Sequence, residues 1–359
     1  MKKLQPSTEE KIIRSKACYL KENDQPCLGF FLGDEYPNQR YPSYSKLPEG
    51  RPLTPEDFPL EPFLNDCERL FQDHQKCGGD LFWTGTPFWG IPWIEAMLGC
   101  DLFFNSASCS ISAANTNNKV TLETLPEFSE SNPWVKLFGE FFEALEVHSA
   151  GRYPIGTTRI RGLADILAVI YGGEEFIITA MTEEAEIIKH LDKITPFYID
   201  VMKYQLRHIP EFHGGMGSFY YYNWTPPNTV WHQEDSVMLL SPSLYQNLFY
   251  AYDKKIYTNF ENNICHFHST GGYAPYKEIL SLNPLCIEMH LDFGGPSAQE
   301  LFSTHKEILS KSSLLIWGDF TSDDLEWVYN NLPPAGLFLS VRVNSEAEAN
   351  SIWEKYSKS

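Results

Sequence analysis

The sequence predicts an α/β protein, a closed (β/α)8 barrel, on three observations. From residue 219 onward, strand-like and helix-like segments alternate at the spacing of parallel strands joined by right-handed crossovers. Ionisable residues recur at the C-terminal ends of several of these strands, which is where a barrel gathers its site. The competing architecture is an open doubly wound sheet, but no G-x-G-x-x-G or G-x-x-x-x-G-K-[ST] follows any strand, so its phosphate-cradling forms lack their mark.

At 359 residues the chain accommodates one large barrel or two ordinary domains. Residues 1–65 read as an irregular extension packed on the barrel, with one strand at 27–33, and residues 66–359 as the barrel itself. A helix is predicted over 65–75. Tryptophan, glycine and proline crowd 81–100, which predicts a shaped loop entering a short helix. Residues 100–132, rich in Asn, Ser and Thr, read as an insertion with a strand pair at 103–111 and 119–125. Pro133, at an N1 position, opens an amphipathic helix to about 147. Residues 153–158 then read as a buried strand, and 163–171 as a helix stopped by Gly172 and Gly173. Thr182, with Glu183 and Glu184, caps a helical region that reaches 208 with a break near Pro196.

The second half is more regular. Strands at 219–224 and 230–234 precede a helix from 242 to about 260. Strand and helix then alternate through 263–270, 275–282, 285–292, 298–310, 313–318, 322–331, 336–343 and 346–357. Each late helix opens with a cap: Ser297 with Glu300, Thr321 with Asp324, and Ser345 with Glu348. No internal repeat or low-complexity tract interrupts the pattern.

Composition excludes several classes. Lys+Arg of 28 against Asp+Glu of 47 gives a formal charge of -19, which repels nucleic acid and anionic membranes. Lys2 and Lys3 are followed by no apolar segment of a secretory signal, and no apolar run approaches the roughly 18 residues of a membrane span. Eight cysteines without a C-x-x-C pair fit a reducing compartment. The expected setting is cytoplasmic, the expected ligand a small molecule, and a homodimer is compatible with the sequence.

The chemistry concentrates at strand ends. In Glu288-Met289-His290-Leu291-Asp292, period two puts Glu288, His290 and Asp292 on one strand face, and the same arithmetic groups His266, His268 and Thr270 on the preceding strand. If both faces point inward, imidazoles and carboxylates meet. Such a set suits a divalent metal, or an acid and base whose pKa values are pushed apart. A hydrogen-bonded polar core is the alternative, and Asp292 could simply brace the turn before Gly294 and Gly295. Trp231-His232-Gln233-Glu234-Asp235 is another polar strand end. Glu234, Asp235 and His268 are candidate catalytic groups there, with His232 a candidate substrate contact, although Asp235 and Ser236 could equally cap the turn. Glu95 sits beside Trp93 in the Trp-rich segment, where an apolar wall would suit it to acid catalysis. Arg159 and Arg161 could grip a carboxylate or phosphate, or form surface ion pairs. Tyr222, from an aromatic strand, and Trp317 and Asp319, at the end of a third strand, complete the candidate substrate contacts. No G-x-S-x-G elbow occurs.

Four stretches then resemble the uroporphyrinogen decarboxylase superfamily of (β/α)8 barrels. They are Ile91-Pro92-Trp93-Ile94-Glu95-Ala96-Met97-Leu98-Gly99-Cys100; Glu234-Asp235-Ser236 with Leu240-Ser241-Pro242; His268-Ser269-Thr270-Gly271-Gly272; and Asp292 with Gly295-Pro296. The resemblance covers about 60–355. True porphyrinogen decarboxylases carry an arginine-rich N-terminal motif and an aspartate in a Phe-Ser-Asp-Ile-like segment. Here the first part of the chain offers Arg14 and Arg40, and Phe88-Trp89-Gly90-Ile91 has no acid. The corrinoid methyltransferase branch uses a His-x-Cys-Gly-Asn zinc motif, against which this chain sets His268, Thr270, Gly271 and Gly272, without the cysteine. The resemblance implies methyl transfer from a small polar methylated substrate to a corrinoid brought by a partner protein. A divalent metal, zinc or similar, would be held by His266, His268, Glu288, His290 and Asp292, an N/O set suited to activating oxygen, with Glu95 or Glu234 as proton donor. Porphyrinogen decarboxylation, which needs no cofactor, and a non-enzymatic small-molecule-binding barrel are the alternatives.

Overall fold

The computed structural model describes residues 6–33, 41–77, 79–88, 90–218, 223–233, 235–271 and 275–357. Ten strands are formed there: β1 (Cys27–Leu32), β2 (Asp101–Asn105), β3 (Ser110–Ala114), β4 (Met216–Gly217), β5 (Trp224–Thr225), β6 (Thr229–Gln233), β7 (Asn262–His268), β8 (Cys286–Leu291), β9 (Ser313–Gly318) and β10 (Leu337–Val343). The helices of the first half are α1 (Thr8–Tyr19), α2 (Leu60–Cys77), α3 (Trp93–Leu98), α4 (Pro133–Ser149), α5 (Leu163–Tyr171), α6 (Gly173–Thr182) and α7 (Glu184–His208). Those of the second half are α8 (Pro242–Leu248), α9 (Tyr250–Tyr257), α10 (Tyr276–Leu280), α11 (Phe302–Lys311), α12 (Ser322–Asn331) and α13 (Glu346–Tyr356). None is long and apolar enough to cross a membrane.

Six strands make one parallel sheet in the order β1-β10-β9-β8-β7-β6. Strands β8 and β9 are buried along their whole length and β10 everywhere but Arg342, as the apolar runs Leu314-Leu315-Ile316 and Leu337-Phe338-Leu339 require of strands covered on both faces. Strand β1 falls in the stretch expected to be an extension, yet it pairs residue for residue with β10, from Cys27 opposite Phe338 to Leu32 opposite Val343. The first part of the chain therefore contributes to the sheet itself.

Two irregular segments run between the outer strands. Asp80 donates its N–H to Leu28 O (2.7 Å) beside β1. Gly85 makes a parallel bridge to Ile155, and Arg161 one to Gln233 at the end of β6. Single bridges replace a ladder here because Pro154 has no N–H to give and the backbones crowd together. A Cβ on Gly156 would lie 2.5 Å from Gly217 O, so only glycine permits that approach. Among the described residues no ladder joins β6 to β1 through these segments, and the residues expected as a buried strand at 153–158 are buried but form bridges only.

Several element expectations are corrected. Residues 8–19 form a helix, nucleated by Ser7 and Glu10, which hydrogen-bond reciprocally as a capping box. The hairpin of the Asn/Ser/Thr-rich insertion pairs 101–105 with 110–114, and 119–125 forms turns instead. Gly172, at φ 90°, separates α5 from a further helix rather than ending helical structure. Pro196 lies inside an unbroken α7, whereas the predicted helix at 242–260 divides at Phe249. Ser297 and Glu300 do bond each other, but they close a turn ahead of α11, which starts at Phe302. Helices α5, α12 and β9 match their predicted limits.

Candidate active site

Parallel register assembles the polar strand ends. Along β7 and β8, His266 lies opposite Glu288 and His268 opposite His290, while Gln233 of β6 lies opposite His266. Period two then turns these side chains to one face, as the alternation in the sequence predicts. His266 Nδ1 bonds Glu288 Oε2. His268 Nδ1 bonds Asp292 Oδ1 (2.6 Å), which also receives His290 Nδ1 (3.0 Å); the two imidazoles meet at 3.2 Å. Asp292 is further held by the Thr270 N–H (3.0 Å) and Oγ1 (2.7 Å). Asp235, beyond the end of β6, directs Oδ1 at His268 Nε2 (3.6 Å) and His266 Nε2 (3.9 Å), while its Oδ2 accepts from Gln233 Nε2. Exposure of the side chains rises from 1% at Glu288 to 33% at Asp235, so the mouth of the cluster is on the Asp235 side.

Burial and mutual charge set the protonation states. Burial, aided by the charges of His268, His290 and Arg159, holds His266 well below its ordinary value despite the pull of Asp235. His268 is half-buried, and although desolvation lowers it, the Asp292 hydrogen bond and the Asp235, Asp292 and Glu288 charges raise it on balance. Asp292 is lowered far beneath the usual carboxylate range, because bonds from His268, His290 and Thr270 outweigh burial. His266 is thus a neutral imidazole beside a carboxylate-bound His268. Two overlapping triples, Asp235 with His266 and His268, and His268 with His290 and Asp292, each bring three ligand atoms within 4.8 Å. Imidazole nitrogens and carboxylate oxygens at such spacing fit a divalent first-row cation. Glu288, expected as a ligand, instead faces the far nitrogen of His266.

Other candidates surround or leave this cluster. Arg161 pairs with the buried Glu95 (3.0 Å), tying two expected site residues to each other. Arg159 lies close enough to His266 and Tyr44 for its charge to act on both. Trp317 packs tilted at 54° with its ring centroid 4.4 Å from that of His290, and Asp319 pairs with Arg342 at 2.8 Å. His232, expected as a substrate contact, lies apart from the cluster. Period two sends it to the opposite face of β6, where Tyr198 Oη and Asn263 Oδ1 occupy its two ring nitrogens at 3.0 Å each. Burial keeps it neutral, lowering it to about 4. Trp93 is also a core residue, donating Nε1–H to Phe88 O (3.0 Å) and packing 4.6 Å from Phe138. Tyr222 and Glu234 lie outside the described residues.

One residue that pattern reading passed over positions the site. Asp165 of α5 accepts the Ser236 N–H (2.8 Å) and takes the Asp235 N–H at 3.4 Å. Burial, with the Asp235 charge, raises its carboxyl to about 6 against Arg161 and Ser236. The signal was present: Asp165 is the lone acid in Leu163-Ala164-Asp165-Ile166-Leu167-Ala168-Val169-Ile170, and an acid on so apolar a helix needs an internal partner.

No family model and no curated protein matches the chain. Among solved structures, it is similar to a methyltransferase from Methanosarcina mazei, with a TM-score of 0.63 over 96% of this chain and 97% of that one. At 11% identity the likeness is one of fold: this chain shares an α/β architecture with a methyltransferase of nearly equal extent.

Proposed function

We propose that this chain is a (β/α)8-barrel enzyme that moves a methyl group from a small polar methylated donor to a corrinoid carried by a partner protein. In this reading the two segments that make single bridges beside the outer strands, 80–86 and 154–161, would add to the six-stranded sheet as the remaining staves of such a barrel. The observation that carries the functional reading is the His266, His268, His290, Asp235 and Asp292 cluster at the C-terminal strand ends of a fold like that methyltransferase's.

When bound, a divalent cation would draw electron density from the donor oxygen, and the corrinoid would supply the electron pair that takes the methyl. The rest is work for this chain's own residues. Asp235, His266 and His268 fix the oxygen end of the donor at the mouth of the cluster. Arg159 offers the charge that a donor carboxylate would need. As the carbon–oxygen bond breaks, the departing oxygen must gain a proton, and the donor assigned in this reading is His290, whose Nδ1 bonds Asp292.

The test is a spectrophotometric assay of the purified protein with reduced free cobalamin and a panel of methanol and small O-methyl ethers. Methylation that falls at least about 100-fold in His268→Ala is the expected result. No transfer from any donor, with turnover of a porphyrinogen in its place, would overturn the proposal in favour of decarboxylation.

A further inference from the structure

We infer that Asp235, His266 and His268 form an open site of two histidines and one carboxylate for a divalent first-row cation, in which Glu288 and Asp292 hold the histidines and do not touch the ion. The inference deepens the functional reading above, because the ion would sit where the donor oxygen docks. Its ligand set nonetheless stands on separate geometry.

The first support is Asp235 Oδ1. This oxygen is buried and has no hydrogen-bond partner among the described residues, while Oδ2 of the same carboxylate is occupied by Gln233. A carboxylate oxygen removed from water without a hydrogen bond in return is unfavourable, and its basic neighbours His268 and His266 stand beyond hydrogen-bond reach at 3.6 and 3.9 Å, so an ion held between the three would supply the missing partner. The second is direction. Oδ1 faces the Nε2 atoms of His268 and His266 at 3.6 and 3.9 Å. Ligand atoms about 2.1 Å from a tetrahedral ion lie about 3.4 Å from each other, so a small inward shift closes the triad.

The third support is what stands behind each imidazole. His266 Nδ1 faces Glu288, and His268 Nδ1 faces Asp292. A carboxylate on one ring nitrogen fixes the tautomer that presents the other as a lone pair, which is the usual backing of a metal-bound histidine. Both braces are themselves fixed: Glu288 is buried in β8, and Asp292 takes bonds from His290 and Thr270 as well. The overlapping triple of His268, His290 and Asp292 is less suited, since its three atoms already bond one another at 2.6 to 3.2 Å. An ion there would also take the Nδ1 that orients His268.

Asp235 is held independently of any ion, because Asp165 receives the Asp235 and Ser236 backbone N–H groups. The site is therefore carried by three strand ends and a helix, with nitrogen and oxygen donors and no thiolate. Zinc, cobalt(II), iron(II) and manganese(II) are the ions such donors take, and coordination positions remain for a substrate oxygen.

Cobalt(II) titrated into chelator-treated full-length protein tests this directly, read by visible absorption and by calorimetry, with zinc as competitor. One equivalent should bind. Asp235→Ala, His266→Ala and His268→Ala should each abolish or greatly weaken binding, and Glu288→Gln and Asp292→Asn should weaken it by about 10- to 100-fold. His290→Ala should leave affinity within about threefold, as expected of a side chain outside the coordination shell. Circular dichroism checks folding of each variant, and Asp235→Asn, which removes the charge while keeping the shape, serves if the alanine variant does not fold. Binding that survives Asp235→Ala and Asp235→Asn but is lost in His290→Ala would overturn the assignment in favour of the other triple. Failure of the wild-type protein to bind either ion at micromolar concentration would overturn it altogether. Cation binding without methyl transfer from any donor would sink the functional reading alone, and methyl transfer undiminished after chelation would sink the cation site alone.

Discussion

Asp253 tests how the fold tolerates buried charge. It lies on α9, 1% exposed, and accepts a 2.7 Å hydrogen bond from Tyr245 Oη. Burial, partly relieved by that bond, pushes its carboxyl up to about 7. An unfolded aspartate titrates near about 3.9. Between these values the folded chain keeps a proton that the unfolded chain has released, so stability falls as the pH rises through the interval and is greatest below it. Linkage makes the ionisation cost about 2.5 kcal/mol more at pH 8 than at pH 5. Asp253→Asn retains an oxygen for Tyr245 and has no charge to bury. Its stability relative to wild type should therefore improve by about 2.5 kcal/mol on going from pH 5 to pH 8, as read from urea unfolding of both proteins at each pH. Other titrating groups are common to both proteins and cancel in the difference. A stability gap that stays constant to within about 0.5 kcal/mol would show that Asp253 does not titrate in this interval.

Two further outcomes follow from buried ionisable groups. His305 of α11 is buried with neither ring nitrogen hydrogen-bonded among the described residues, and burial lowers it to about 4. A lowered histidine favours the folded state above the unfolded value near 6.5 and loses that advantage as the pH falls toward 4, so His305→Leu should flatten the acid limb by about 2 kcal/mol between pH 7 and pH 5, read from unfolding at each pH. A loss of stability with acid that is as steep in the variant would exclude His305 as its source. Glu95→Gln strands the Arg161 guanidinium beside a neutral partner, which should cost about 3 kcal/mol in chemical denaturation. A cost below about 0.5 kcal/mol would place that pair in effectively solvated surroundings.

The sequence made the centre of the site legible because its rule is geometric. Alternation of Glu288, His290 and Asp292 with Met289 and Leu291 fixes a common face whatever the surrounding fold, and the register of β7 on β8 then places His266 and His268 against it. The same rule, applied to Trp231-His232-Gln233, separates His232 from Gln233 and would have assigned His232 to the helix-facing side. What local patterns do not encode is long-range contact. Asp165 meets Ser236 across 71 positions, and Glu95 meets Arg161 across a loop, a hairpin and a helix. The two segments that bridge the outer strands were harder still, since Pro154 and Gly156 break the ladder that gives a strand its ordinary signature. Helix α1 was legible and passed over: Ser7 followed by Glu10 is a capping box at sequence level. Pro196 misled in the other direction, because packing keeps α7 continuous through a residue that would break an isolated helix.

Thr270 decides which chemistry the cluster can support. The sequence resemblance to the corrinoid methyltransferase branch would set position 270 against the cysteine of a zinc motif, and with it the expectation of a thiolate on the ion. Here the Thr270 hydroxyl turns toward Asp292, donating at 2.7 Å to the oxygen that also takes the Thr270 N–H. The residue thereby supports the carboxylate that orients His268, one step removed from the triad. Thr270→Cys should accordingly weaken that support, since a thiol is a poorer donor than a hydroxyl, and should not tighten cobalt(II) binding. Cobalt–thiolate ligation has a recognisable consequence, an intense near-ultraviolet charge-transfer band, which the variant should lack. Appearance of that band with tighter binding would show that position 270 reaches the ion after all, and that the absence of cysteine, rather than the geometry of the strand end, is what separates this site from sulfur chemistry.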